Sequence, residues 1–396
     1  MAQALIKAGH SVTMVCGVSS SGVYDIPLWK GNVRRGYIDG IEVIQFPVKM
    51  SNYYSLLRRT VSFWSFAFNS IMIALREDYD LLFATSTPLT AALPGVVMKY
   101  FRKKPFVFEV RDLWPELPRE MGVIKNPVVL GAMSFLEWIS YRKADACVGL
   151  SPGIVEGIKK RAPKDLPVAM IPNASDLDLF VPGKREDLRI DGVSERDFVG
   201  VFTGTHGIAN GLNAALDVAL ELKKRNRKDI KIVLIGDGRE KPCLEKRAAD
   251  QQLDNVIFKG RIPHLELAKM LGRFDVGLML LANVPAFYYG TSPNKFFDYI
   301  SSGIPVINNY PGWLADMITE YQFGVAIAPN DPVAFADALC YLADNPSKAQ
   351  EMGRRARKVA EKRFSREDLA SELVALINKW EHRVAGYEYR LEDQTL

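Results

Sequence analysis

The residues best suited to chemistry lie in one stretch near the end of the chain, Gly290–Gly312, GTSPNKFFDYISSGIPVINNYPG. Ser292, Pro293 and Asn294 read as a helix start, with proline near the first turn and helix following through Tyr299. A helix N-terminus presents unpaired N–H groups and about half a positive charge, which suits an anion. Lys295, in that first turn, runs against the usual preference for acids there, and makes sense if a diphosphate stands in front of it. Asp298, three residues on, shares its face of the helix and could accept from ribose hydroxyls. The alternative is a surface helix with an unrelated Lys/Asp pair.

Three other stretches carry polar groups at the ends of apolar runs. VFTGTHGIANGL (Val201–Leu212) is strand, glycine-rich turn, then helix, and Gly204, Gly207 and Gly211 would let backbone approach a phosphate. His206 at its tip could hydrogen-bond a phosphate or sugar, or be an exposed loop histidine without a role. IVLIGDGREKPCL (Ile232–Leu244) resembles half a dinucleotide fingerprint, but without the full glycine spacing it reads as a tight strand-to-helix turn. In FVFEVRDLWPELP (Phe106–Pro118), Arg111, Asp112 and Glu116 emerge at a strand's carboxyl end; a buried structural Arg–Asp pair is the alternative. Asp176-Leu177-Asp178 formally matches a metal-binding DxD, but lies away from any nucleotide loop and reads as structural.

These groups are positioned by short β-rich runs that alternate with helical stretches. Strands are expected at Ser11–Cys16, Ile41–Phe46, Leu81–Thr85, Phe106–Val110, Ala146–Leu150 and Val168–Ile171. After a gap they resume at Val199–Thr203, Lys231–Ile235, Val256–Lys259, Val276–Leu280, Val306–Asn308 and Gly324–Ile327. Helices are expected between them, including Leu212–Arg225 and Arg239–Gln251, and a last one at Arg366–Trp380 capped by Ser365. The pattern predicts an α/β protein with two doubly wound sheets in series, joined by the polar stretch Val181–Asp197. Residues 1–182 would form the first domain and 183–380 the second, with the final helix crossing back and 381–396 a tail. Ligands of such folds bind between the carboxyl ends of the strands, so a cleft is expected there.

Composition fits this reading. The chain has 396 residues, 48% hydrophobic and 24% charged, enough apolar material for two to three domains. Four separated cysteines without a CxxC pair argue against a disulfide framework or a zinc site and fit a reducing compartment. Residues 1–184 hold 22 Lys+Arg against 16 Asp+Glu, whereas the remainder is near neutral. The basic half points to an anionic membrane surface or phosphorylated lipid; no nucleic-acid module or stacking groove is legible. Neither a signal peptide nor a run long enough to span a bilayer is visible. The uncharged, aromatic-rich Thr60–Leu75, flanked by Arg58, Arg59 and Arg76, either packs within the domain or lies partly in a lipid interface.

Together, SPNKFFDYISSGIPVINN, GTHGIANGL, IGDGREKPCLE, VRDLWPE and MIPNASDLDLF resemble the retaining GT-B glycosyltransferases of family four. They look closest to the branch of bacterial N-acetyl-fucosamine transferases of O-antigen and capsule synthesis. The resemblance covers nearly the whole chain and implies a UDP-type nucleotide-sugar donor, with no cofactor and no obligatory metal. It implies a polyprenyl-diphosphate-linked or polysaccharide acceptor and peripheral attachment to the inner face of the cytoplasmic membrane. It places diphosphate and ribose on Ser292–Tyr299, with Ser292, Pro293, Asn294 and Asp298 in contact, and the base against Arg261 and Ile262. Asp298 falls on the second acid of the family's E-x7-E signature; the first falls on Gly290, leaving Lys295 as the replacement cation. The family's Arg and Lys after the first strand of the second domain give way to GTHGIANG, so Gly204, His206, Gly207 and Asn210 become the phosphate contacts. Its His-Asp pair becomes Arg111-Asp112, with Glu116 beside them on the acceptor side.

The implied chemistry retains anomeric configuration by front-face attack, with the departing diphosphate stabilised by Lys295, the helix N-terminus and the Gly204–Gly211 loop. Asp112 would orient acceptor or sugar. Two rival readings are a nucleotide-sugar epimerase and a silent scaffold subunit of a polysaccharide assembly complex. Residues 1–9 read as the second half of a helix, and the strand and glycine-rich loop that open this family are absent before it. The expectation is a native reading frame extending roughly 15–25 residues upstream, apolar and β-rich, then carrying Gly or Pro.

Overall fold

The structure, a computed structural model, describes residues 1–18, 24–51 and 53–384. The first half opens with helix α1 (Ala2–Lys7), as its helix-like start predicts, and strand β1 (Thr13–Val18). Strands β2 (Leu28–Lys30), β3 (Val33–Ile38) and β4 (Ile41–Lys49) follow, then helix α2 (Leu56–Arg76). Next come β5 (Leu82–Thr85), α3 (Leu93–Phe101), β6 (Phe106–Val110), α4 (Glu116–Glu120) and α5 (Pro127–Lys143). The half ends with β7 (Ala146–Gly149), α6 (Pro152–Arg161) and β8 (Val168–Met170).

This half is Rossmann-like as expected, but its strands fall into two sheets rather than one. It holds two four-stranded sheets, ordered β1-β4-β3-β2 and β5-β6-β7-β8. The second is parallel throughout, but the first is mixed: β1 pairs with β4 in parallel, while β2–β3 and β3–β4 are antiparallel. The β3–β4 turn is Asp39-Gly40, both with positive φ (49° and 80°), the conformation a two-residue hairpin turn requires.

The second half is a six-stranded parallel sheet. Its chain order is β9 (Phe198–Thr203), α7 (Asn213–Lys224), β10 (Ile230–Ile235), α8 (Lys241–Asp250), β11 (Val256–Lys259) and α9 (His264–Leu271). Then follow β12 (Val276–Met279), α10 (Pro285–Gly290), α11 (Asn294–Ser301), β13 (Val306–Asn308), α12 (Trp313–Tyr321) and β14 (Gly324–Ala326). Helices α13 (Pro332–Asp344), α14 (Pro346–Arg363) and α15 (Arg366–Val384) complete the described chain; residues 385–396 of the expected tail lie outside it. The spatial order β11-β10-β9-β12-β13-β14 reverses direction between β9 and β12, and that switch opens a crevice at their carboxyl ends.

Residues with no side chain set the closest approaches. A Cβ on Gly277 of β12 would stand 2.5 Å from the Tyr299 ring, so its absence lets α11 lie directly on the sheet. Tyr299 Oη then accepts from the Thr203 backbone N–H at 2.9 Å, fixing α11 against the end of β9. The halves meet through an apolar cluster that runs from Val107, Ala146 and Val148 to Phe180, Phe296 and Phe297. Two chain crossings join them, after β8 and before α15, and these touch in a parallel bridge between Ser175 and Ser365. Ser365 also caps α15 as predicted, accepting from Asp368 N–H at 3.5 Å. α15 crosses back onto α1, where His10 Nε2 and Asn378 Oδ1 lie 2.8 Å apart.

Candidate functional site

A cleft of about 1000 Å³ lies between the halves. Its walls come from the carboxyl ends of strands on both sides: Lys49 and Thr87 from the first half, Thr203, Gly204, Gly236 and Arg261 from the second. The loops after β9 and β10 form one wall because glycine allows them to run back to back. Gly204 (φ +143°) and Gly236 (φ +148°) adopt conformations that L side chains rarely take. A Cβ on Gly236 would stand 1.8 Å from the Gly204 carbonyl oxygen.

Lys295 lies one layer behind Gly204. One turn before Tyr299, its ammonium comes within 3.2 Å of where a Gly204 Cβ would stand and 3.9 Å from the centre of the Phe202 ring. Nζ donates to Asn210 Oδ1 at 2.8 Å, and Asn210 Nδ2 donates to the Thr205 carbonyl at 2.6 Å, so Asn210 ties the loop to the lysine. Among the described residues no carboxylate pairs with Lys295, and burial pushes its amine down to about 7. Pro293 occupies the N-cap of α11 and no side chain caps the helix.

Several of the proposed contacts stand elsewhere than expected. His206 is neither an exposed tip nor a contact on the cleft wall: it is fully buried between Phe202 and Phe258, its ring nitrogens without hydrogen-bond partners. Its burial, reinforced by Lys241, lowers the imidazole to about 4 and keeps it neutral. The cause is local: the turn beginning at Gly204 folds inward, with His206 N–H donating to the Asp237 carbonyl at 3.0 Å. Gly207 and Asn294 take no part in lining the cleft.

Ser292 does not cap α11. Its Oγ accepts from Asn173 N–H at 3.0 Å and its carbonyl from Asn173 Nδ2, which makes it a tie to the first half. Asp298 feels Arg366 and Asp176 at the crossing and does not line the cleft; burial pushes its carboxyl up to about 7. Glu116 is spent on Arg161, which also binds buried Glu137, so it is not free for an acceptor. Asp176 accepts from Leu179 N–H at 3.2 Å and pairs with Arg366 at 3.4 Å, a structural use of the DxD-like sequence.

The Arg111-Asp112 pair follows β6, next to Thr87 on the cleft. Asp112 accepts from Thr87 Oγ1 at 3.1 Å, and burial raises its carboxyl, opposed by Thr87 and Arg111. Arg111 donates to Glu109 at 3.1 Å and to Asn173 Oδ1 at 3.4 Å. Arg111, Asn173 and Ser292 therefore connect the first half to the start of α11. Arg261 and Ile262 line the cleft together, with Arg261 3.8 Å from Asp237. Across the cleft, the hydroxyl of the exposed Tyr53 faces Asp237 and holds that carboxyl below its usual range.

Tyr53, Thr87, Phe202 and Asn173 were not singled out from the sequence. Asn173 and Phe202 lay within quoted stretches, MIPNASDLDLF and VFTGTHGIANGL, without being picked out; Tyr53 and Thr87 depend on contacts between distant segments. Gly290 ends α10 facing open space, with no atom within 4 Å of where a Cβ would stand. Among the described residues no group of three His, Cys, Asp or Glu side chains could hold a metal ion.

Residues 1–174 match the glycosyl transferase 4-like domain and residues 184–359 the glycosyl transferases group 1 family. A probable glycosyltransferase of Pseudomonas aeruginosa, WbjE, is 26% identical over 312 residues, 76% of each chain. The fold is similar to that of a sucrose-phosphate synthase from Thermosynechococcus elongatus (TM-score 0.74, 18% identity, 96% of this chain and 92% of that one). It is also similar to Anabaena HepE, solved in complex with UDP-glucose (TM-score 0.66, 15% identity, 79% of this chain and 82% of that one).

Proposed function

Because the chain belongs to the group 1 glycosyl transferases of GT-B fold, we propose that it transfers a sugar from a UDP-type nucleotide to a lipid-linked or polysaccharide acceptor. The observation that carries the donor assignment is the lysine without a carboxylate partner behind Gly204. A buried cation of this kind lacks a counter-ion, and a diphosphate in the cleft would supply one. As the sugar–phosphate bond breaks, negative charge grows on the departing diphosphate. In this reading Lys295 and the first turn of α11, which no side chain caps, would stabilise that charge.

Arg261 and Ile262 offer a surface for the base, and Asp112 stands on the opposite side, where it would orient sugar or acceptor. Front-face attack with retention is what the family resemblance implies. The resemblance favours an N-acetylated deoxy-hexosamine as the sugar. HepE, of similar fold, binds UDP-glucose, which supports a uridine nucleotide. Work at the inner face of the cytoplasmic membrane is supported by the basic first half and by four free cysteines.

A screen of nucleotide sugars against polyprenyl-diphosphate-linked acceptors, with anomeric analysis of the product, tests this reading. One pair should yield product with the donor's configuration, in EDTA as in its absence. Lys295→Ala should lower turnover about 100- to 1000-fold, the effect of losing one preorganised donor of about 2.7–4 kcal/mol. Product of inverted configuration would remove the retaining mechanism, and activity within about twofold of the parent in Lys295→Ala would remove the donor site. Donor binding without transfer to any acceptor would instead favour a scaffold.

A further inference from the structure

Helices α2, α3 and α5 form one layer on the first half, α3 packing against the other two. The outer surface of this layer is apolar where water would ordinarily favour charge. On α2, Leu57, Val61, Trp64, Phe68 and Leu75 fall on one stripe at helical spacing and are exposed, Leu57 at 77% and Trp64 at 55%. The sequence pointed to this helix. It did not point to α5, where Val128, Phe135 and Trp138 form a second exposed stripe, Val128 at 78%, with the Phe135 and Trp138 rings stacked at 5.7 Å. Gly131, on the same stripe, has open space where its side chain would be.

Charge identifies what these stripes face. The three helices together contain a single carboxylate, Glu137, and it is buried. Their cations are Arg58, Arg59 and Arg76 on α2, Lys99 on α3, and Arg142 and Lys143 at the end of α5; Lys99 pairs with Asp145, and among the described residues none of the other five pairs with a carboxylate. Arg142 lies 4.6 Å from the centre of the Trp138 ring, and Lys143 4.2 Å from that of Tyr100 on α3. Exposed aromatics rimmed by unpaired cations suit an anionic bilayer, with rings among the acyl chains and cations at the headgroups. A second copy of the chain would bring the same cations face to face. No described helix is long and apolar enough to cross a membrane, so the contact is one of lying on the surface.

We propose that α2 and α5 act together as two feet bedded in an anionic lipid surface, with α2 also leading into the cleft. Arg59, Ser62 and Phe63 line the cleft on one side of α2, while Val61, Trp64 and Phe68 face outward on the other. A lipid-borne acceptor would therefore reach the cleft along a helix that already touches its membrane. The inference rests on the acceptor reading above and deepens it by naming the second foot.

The test is flotation of the full chain with phosphatidylcholine vesicles carrying about 30% phosphatidylglycerol. Phe135→Ser with Trp138→Ser on α5 should lower the partition coefficient about tenfold, and Trp64→Ser with Phe68→Ser on α2 by a similar factor. Circular dichroism melting and UDP affinity should match the parent in both, since all four side chains are exposed. If the α5 pair binds like the parent while the α2 pair does not, the second foot is wrong and the membrane reading stands. If the parent itself stays off anionic vesicles, both fall. A parent that light scattering shows as a dimer, turned monomeric by the α5 pair, would make this face a protein interface and also overturn the proposal.

Discussion

Lys295 joins two demands that pull against each other: enough burial to sharpen its effect on a phosphate, and enough charge to have one. With its amine lowered to about 7 by burial, it is charged below that pH in the empty site and neutral above it. A bound diphosphate restores the charge, so binding above pH 7 must take up a proton. UDP affinity should therefore fall by up to about tenfold per unit from about pH 7.5 to about pH 9. Calorimetry in buffers of different ionisation heat would read the proton directly, and Lys295→Met should abolish both slope and uptake. A parent affinity unchanged across that range would show that the lysine does not meet the phosphate. The lysine was legible in the sequence because it broke a local rule of helix ends. Its setting was not: Asn210 and Phe202 lie far from it in the chain, and spacing carries no information about such contacts. The same reason explains Ser292 and Glu116, whose partners Asn173 and Arg161 could not be foreseen from local pattern.

The elements of the sheets were read well where both faces are buried. The expected strand at Phe106–Val110 has the observed bounds, and those beginning at Val199 and Lys231 differ from β9 and β10 by a residue, because continuous β-branched and aromatic runs carry the signal. Of the β2–β3–β4 meander only β4 was expected, as Ile41–Phe46. β2 and β3 are short or half-exposed, so only the Asp39-Gly40 turn marks the hairpin, and their strands lack the continuous apolar runs of buried parallel ones. Packing between elements is tighter than sequence can reveal, and α3 on β6 is one such case. A Cβ on Gly95 would stand 2.3 Å from the fully buried Phe106 ring. Gly95→Ala should therefore destabilise the protein by roughly 1–3 kcal/mol through overpacking. Urea unfolding followed by fluorescence would measure this, while UDP affinity under native conditions should hold, since the donor loops are in the other half. A variant as stable as the parent would mean that α3 shifts freely on its sheet.

Across the whole molecule, the crossings decide how the halves move. Arg357 of α14 donates to the carbonyls of Leu177 at 3.1 Å, Phe180 at 2.9 Å and Ser301 at 2.7 Å, clamping the connecting segment onto the end of α11. Arg357→Ala should remove about 1.5–3 kcal/mol of charge-assisted bonding, loosen that segment and slow transfer. Limited proteolysis should then cut sooner within Val181–Asp197; an unaltered cleavage rate with an unaltered melting temperature would discount the clamp. The helix that returns to α1 has a consequence in time. α15 leaves the ribosome after every other described element, yet its seat is on the half made first. Until then, the first half keeps an uncovered patch around α1, open to chaperones. Exchanging second halves between relatives by a single splice at the linker would replace that helix with one unfitted to its seat. A working chimera needs a second junction, near Ser365.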